Sequence, residues 1–229
     1  MKKIVYTSAL CASLLSYIQA DNHCISPYGI HAGIQGGYAN IISKLDRNPP
    51  ASLVALDRDS NKISDENVSF GAFVGGYYNF NNVFLGLDLF GNYADFKAKF
   101  KDSSQANIRE LHELKMKHSF GAALSVGYRF NSAIPYLKAG VIQTKWDYKV
   151  ESKNLATGNM TNKKDSPNKT GFLIGAGTDI YLKKNFKMGL EWNHMRYDGF
   201  SVKSVALGKM SVKPRANTIM VRAAYVFSM

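Results

Sequence analysis

From Tyr28 to the C-terminus, eight strand-length segments of alternating polarity are joined in strict turn by long and short connections. A period of two puts alternate side chains on opposite faces of an extended chain, and a helix would mix the two sets. The clearest case is 113–130. Met116, Phe120, Ala122, Leu124, Val126, Tyr128 and Phe130 share one parity; Lys115, Lys117, Ser119, Gly121, Ala123, Ser125, Gly127 and Arg129 share the other. Few folds accommodate eight such segments in that order. The sequence predicts an all-β fold class: an eight-stranded antiparallel up-and-down transmembrane β-barrel, whose closed ladder is one of two backbone solutions that satisfy every N–H and C=O in lipid.

The predicted strands are 29–40, 67–80, 83 toward 100, 113–130, 134–150, 170–182, 186–198 and 214–227. Polar connections at 41–66, 101–112, 151–169 and 199–213 alternate with tight turns at Asn79 to Asn82, Asn131-Ser132-Ala133 and Lys183-Lys184-Asn185. Barrels of the outer membrane have short periplasmic turns and long extracellular loops, which sets the direction of every strand. The lower aromatic girdle is then Tyr78, Phe80, Tyr128, Phe130, Tyr136, Phe186, Tyr225 and Phe227; the upper one holds Tyr38, Tyr93, Phe120 and Trp146. In strand five, Leu137, Ala139 and Val141 compete with Tyr136, Ile142 and Trp146 for the lipid face, and the Tyr136/Trp146 face is chosen. A soluble sandwich would turn the apolar rows inward and requires no aromatics at matched heights.

Export agrees with this solvent. Lys2 and Lys3 precede an apolar run from Ile4 to Ile18, and Ile18-Gln19-Ala20 is a plausible cleavage site. Residues 1–20 are read as a signal peptide and 21–229 as one outer-membrane barrel domain. Cys11 leaves with the signal, so Cys24 has no intramolecular partner; His23-Cys24 lacks convergent ligands and is not read as a metal site. No cofactor is expected. The formal net charge of +12 raises nucleic acid as a partner, and export argues against it. Lys203, Lys209, Lys213 and Arg215 share one loop region without an acid between them. They are candidates for contact with lipopolysaccharide phosphates or other polyanions, against the plainer reading of a solvated loop.

The lumen of an eight-stranded barrel is filled by side chains. Its predicted charges are Asp88, Asp179 and Glu191 against Arg129, Lys187 and Arg222, with Glu191 and Arg222 the best candidate pair on neighbouring strands. Unpaired, each is costly. Such a set can form a structural plug or a narrow ion path. Catalysis needs a nucleophile or activated water with a histidine and a carboxylate in reach. His194, His118 with Ser119, and His112 with Glu113 are the residues to test, but Arg196 stands where a His-x-Ser nucleophile belongs, and His118 and Ser119 are strand neighbours of opposite parity.

Three segments resemble a known family. Leu190-Glu191-Trp192-Asn193 through Tyr197-Asp198-Gly199-Phe200 resembles the Glu-Tyr-x-Tyr-x-Asp-Phe-Gly strand of OmpA/OmpX-like and opacity-type surface barrels. Pro135-Tyr136-Leu137-Lys138-Ala139-Gly140-Val141 is similar to their Pro-Tyr-x-x-x-Gly strand. Arg222-Ala223-Ala224-Tyr225-Val226-Phe227 is similar to their closing aromatic strand, here followed by Ser228 and Met229. The resemblance implies a monomer in the outer membrane of a Gram-negative bacterium, in contact with lipid and lipopolysaccharide. It also implies insertion by the barrel-assembly machinery through the closing strand. Four loops would face the outside for host, ligand or antibody contact, without enzymatic activity. A lipid A-modifying enzyme and a small channel are the alternatives. The mature chain is expected to start at Asp21. The intact mass of membrane-extracted protein checks this, and a retained leader contradicts the export reading.

Overall fold

The computed structural model describes residues 26–48, 62–105, 108–154, 160–166, 168–204 and 208–228. The proposed leader, Cys11 and Cys24 lie outside these residues. The strands are β1 (Tyr28–Asn48), β2 (Lys62–Phe80), β3 (Val83–Gln105), β4 (Ile108–Tyr128), β5 (Ala133–Asn154), β6 (Met160–Asp165), β7 (Asn168–Lys183), β8 (Phe186–Tyr197), β9 (Phe200–Ser204) and β10 (Gly208–Ser228). The sheet runs β1-β2-β3-β4-β5-β7-β8-β10, and β1 pairs antiparallel with β10 from Gly29↔Ser228 to Asn48↔Lys209. That last ladder closes an eight-stranded barrel and leaves no free edge. The short strands β6 and β9 add to β5 and β10 at the long-connection end.

Two of the tight turns depend on asparagine. Asn81 and Asn131 have φ of 53° and 51°, the left-handed region that asparagine tolerates better than most residues. Across the barrel, outward and inward parities follow the alternation. Val68, Phe70 and Val74 on β2, Leu85, Leu87 and Leu89 on β3, and Ile219, Val221, Tyr225 and Phe227 on β10 are exposed on the outer surface. In a bilayer those rows meet acyl chains. Tyr78, Phe80, Tyr128, Phe130 and Phe186 join Tyr225 and Phe227 near the tight turns, as exposed aromatics at one height.

The structure corrects the reading of strand five. Trp146 is 0% and Tyr136 4% exposed, while Leu137 is 65% exposed. The Leu137/Ala139/Val141 face meets lipid, so Tyr136 and Trp146 belong to neither girdle. The physical reason is Lys138, which shares the parity of Tyr136. A lysine amid a lipid-facing strand is expensive, whereas inside it finds Glu191 3.0 Å away.

Strand four needs a second correction. The β4–β5 register shifts between Met116 and Ser119, a bulge that inserts one extra residue and reverses the phase. Met116 therefore points inward although Phe120, four residues on, points outward. Third, much of the predicted long connections is strand. β3 has 23 residues, whereas crossing a bilayer takes about 9–11. The surplus pairs as hairpin beyond the apolar band, where alternation no longer separates lipid from lumen and the periodic signal is lost.

The two tryptophans provide a test. Trp192 is exposed on the outer surface, so lipid-borne quenchers are expected to reach it and leave Trp146 emitting. In reconstituted protein, Trp192→Phe should abolish most quenching and Trp146→Phe should retain it. The opposite ranking would restore the other register of β5.

Candidate functional site

The described residues concentrate charge in one place, the middle of the barrel lumen. Inward parity brings Asp88 from β3, Lys138 from β5, Asp179 from β7, Lys187 and Glu191 from β8, and Arg222 from β10. All six are buried, and they comprise three carboxylates and three cations.

Arg222 spans the lumen. Its Nη2 lies 2.7 Å from Asp88 Oδ2 and its Nη1 2.8 Å from Glu191 Oε2, while the same Nη1 donates to Tyr136 Oη at 2.9 Å. Its guanidinium carbon sits 3.9 Å from the Phe73 ring centroid. A planar fork that stacks on an aromatic while bonding two carboxylates is chemistry that lysine cannot reproduce. Lys138 Nζ meets Glu191 at 3.0 and 3.1 Å and Asp88 Oδ2 at 3.8 Å. Asp88 Oδ1 accepts from His31 Nε2 at 2.7 Å, and Asn193 donates to Glu191 Oε1 at 2.8 Å. Lys187 and Asp179 form a separate pair at 2.7 Å.

Glycine makes room for these crossings. A Cβ at Gly75, which pairs with both His31 and Asp88, would meet Asp88 Oδ1 and, at 2.8 Å, His31 Nε2. Apolar layers enclose the charges. Tyr77, Phe84, Ile134, Tyr181 and Val226 pack toward the tight turns. Toward the other end lie Phe90, Met116, Ile142, Trp146, Leu173, Met195 and Tyr197, with Trp146 and Tyr197 edge to face at 5.4 Å. Buried charges in such surroundings are costly unless paired, and here each carboxylate faces a cation: Asp88 and Glu191 face Arg222, and Asp179 faces Lys187.

Among the sequence candidates, Asp88, Asp179, Glu191, Lys187 and Arg222 occupy this cluster. Arg129 does not: it follows β4, half-buried, and its Nε donates to Asn131 O at 3.2 Å in the adjacent turn. Sequence reasoning misses Lys138 and Tyr136, because it sets β5 in the opposite phase. His31, a partner of Asp88 57 residues away along the chain, is likewise absent from the predicted set. A charge in the middle of an otherwise apolar strand was the available signal for Lys138.

Lys203 and Lys209 pair across β9 and β10, and Lys213 pairs with Lys44. The side chains of Lys203, Lys209 and Lys213 lie outside the described features. Arg215 is half-buried on the outward parity of β10, opposite Arg196. Of the catalytic candidates, His194 Nδ1 lies 2.8 Å from Asn217 Oδ1 and the ring stacks over Trp192. His118 tilts against Phe120, and neighbouring Ser119 is buried. His112 and Glu113 pair with Phe100 and Lys99 on β3.

Comparison with known proteins adds three findings. A family model described as outer membrane protein beta-barrel domain matches residues 7–227. No curated relative matches the sequence. Among solved structures, the outer membrane protein OprG from Pseudomonas aeruginosa is similar with a TM-score of 0.54 at 14% identity, covering 91% of this chain and 100% of that one. That likeness is one of fold. Ail, the attachment invasion locus protein of Yersinia pestis, aligns at 18% identity and TM-score 0.34, over 87% of this chain and 99% of that chain. The outer membrane protease OmpT from Escherichia coli aligns at 10% identity and TM-score 0.47, over 88% and 97%.

The lumen network makes a quantitative expectation. Glu191→Gln or Arg222→Met alone leaves partners buried and unpaired, a loss of about 3–5 kcal/mol. The double variant should lose less than the sum. Urea unfolding of the reconstituted barrel measures the cycle, and additivity within about 0.5 kcal/mol would dissolve the pair.

Proposed function

Because the chain belongs to the outer membrane protein β-barrel family, we propose that it is a non-enzymatic surface barrel whose long-connection end faces outside the cell. Its place is the Gram-negative outer membrane. The observation that carries the reading is the crossing of the lumen by Arg222 from β10 to Asp88 on β3 and Glu191 on β8, between two apolar layers. A lumen so filled favours a structural plug over an ion path. It also keeps His31 and Asp88, a His–carboxylate pair 2.7 Å apart, away from any external substrate. His194 is engaged by an amide rather than a carboxylate, which weighs against a lipid A-modifying enzyme.

On this reading the barrel works as a monomer. It contributes to outer-membrane integrity and presents four loops to host surfaces, ligands or antibodies. Lys203, Lys209, Lys213 and Arg215 offer positive charge for polyanions, including lipopolysaccharide phosphates. The Arg222 to Phe227 segment, inserted as the closing strand, is the part proposed for recognition by the barrel-assembly machinery.

Two measurements test the proposal. Purified protein in planar bilayers should show small conductance or none; large, stable openings would move the assignment to a channel. Cells carrying loop-shortened variants, each verified as heat-modifiable and therefore folded, should lose adhesion or serum survival. Full retention of both phenotypes would remove the loop role.

A further inference from the structure

Arg196 and Arg215 stand directly opposite each other on β8 and β10, both on the outward parity of the barrel. Directly opposed residues have Cβ atoms about 4.5–5.5 Å apart, and like charges there destabilise a sheet. Nothing among the described residues relieves this pair: neither guanidinium has an ion-pair or hydrogen-bond partner. Asp198, two residues beyond Arg196, makes no ion pair with it, and Glu66 on β2 is engaged by Tyr38 and Asn40. The flanking strands offer Phe172 beside Arg196 and Ile42 beside Arg215, which leaves the arginines on an apolar wall.

Height identifies what they meet. Phe186 begins β8 in the lower aromatic row and Arg196 lies ten residues along it (196 less 186). At about 3.3 Å per residue and a tilt of about 40°, that rise is about 25 Å, the height of the apolar band of such barrels. The pair therefore sits where acyl chains give way to headgroups at the long-connection end. Just below it, His194 and Trp192 are positioned as interfacial side chains. Further along β10, on its other ladder with β1, Lys213 pairs with Lys44, so the basic character continues away from the lipid.

We infer that Arg196 and Arg215 form a binding site for a phosphate-bearing lipid headgroup of the outer leaflet, specifically the phosphorylated glucosamine of lipid A. Two guanidinium forks on adjacent strands match the oxygens of one phosphate, and the apolar wall formed by Phe172 and Ile42 beside them and Ile219 below accepts the acyl chains. The ligand's negative charge cancels a repulsion that the protein leaves in place. This inference rests on the proposed orientation, with the long connections outside.

The test uses the full-length barrel in phosphatidylcholine nanodiscs doped with bis-phosphorylated or dephosphorylated lipid A, and native mass spectrometry to read retained lipid. Wild type should retain the bis-phosphorylated form at least about tenfold better than Arg196→Gln/Arg215→Gln, the loss expected from two charge-assisted contacts. It should discriminate against the dephosphorylated form equally. Arg196→Glu, which supplies Arg215 with a protein partner, should abolish retention while the barrel stays heat-modifiable. Equal retention by wild type and the folded double variant, or by both lipid A forms, overturns the site. Orientation is read apart from this, by maleimide labelling of Lys203→Cys on intact cells. Unlabelled cells defeat the surface-loop reading, whereas labelled cells with unchanged lipid A retention defeat the arginine site alone.

Discussion

A closed ring of eight strands encloses a lumen too narrow for a water-filled pore and too polar, in this chain, to be packed as a plain apolar core. Its charges must therefore neutralise one another inside the protein. Arg222 carries most of that requirement. Its fork joins β10 to its neighbour β8 and, across the lumen, to β3, and its flat face lies on Phe73 of β2. Lys138 repeats the role from β5. The cross-links act as struts: opposite walls are tied by charge-assisted bonds, and the small residues between them, such as Gly75, keep the space open.

The outer surface answers to a different solvent. Apolar side chains that would be a liability on a soluble protein are the binding surface for lipid here, and aromatics mark its lower limit. Above its upper limit the strands do not stop. They continue as paired hairpins, with β6 and β9 extending the sheet beyond the main barrel strands. The basic pairs at the boundary, Arg196 with Arg215 and then Lys44 with Lys213, connect the two regions.

Strands β7, β8 and β10 were legible from sequence because their two faces differ sharply in chemistry. Gly171, Gly175 and Asp179 oppose Phe172 and Ile174; Lys187 and Glu191 oppose Met188, Leu190 and Trp192. In β5 both faces carry large apolar or aromatic groups, and Tyr136 and Trp146 suit a membrane interface as well as a packed interior. The decision fell to Lys138, whose charge finds Glu191 across the barrel. In β4 the alternation itself is broken by a bulge, so no single parity describes the strand. Polar stretches beyond the bilayer read as loops because, with water outside, backbone pairing leaves little mark on composition.

The amino-acid sequence by itself determined the closed antiparallel architecture, the order of tight turns and long connections, and the inward parity of most charges. These follow from local alternation and turn chemistry, which need no knowledge of distant contacts. Beyond the Glu191–Arg222 pair that strand adjacency suggested, only the tertiary structure decided who pairs with whom: His31 with Asp88, Lys138 with Glu191, Arg222 with Asp88 as well, and Arg196 opposite Arg215. Those partners are separated by up to 134 residues. They meet because barrel closure sets the relative heights of all eight strands at once, a condition that no single segment encodes.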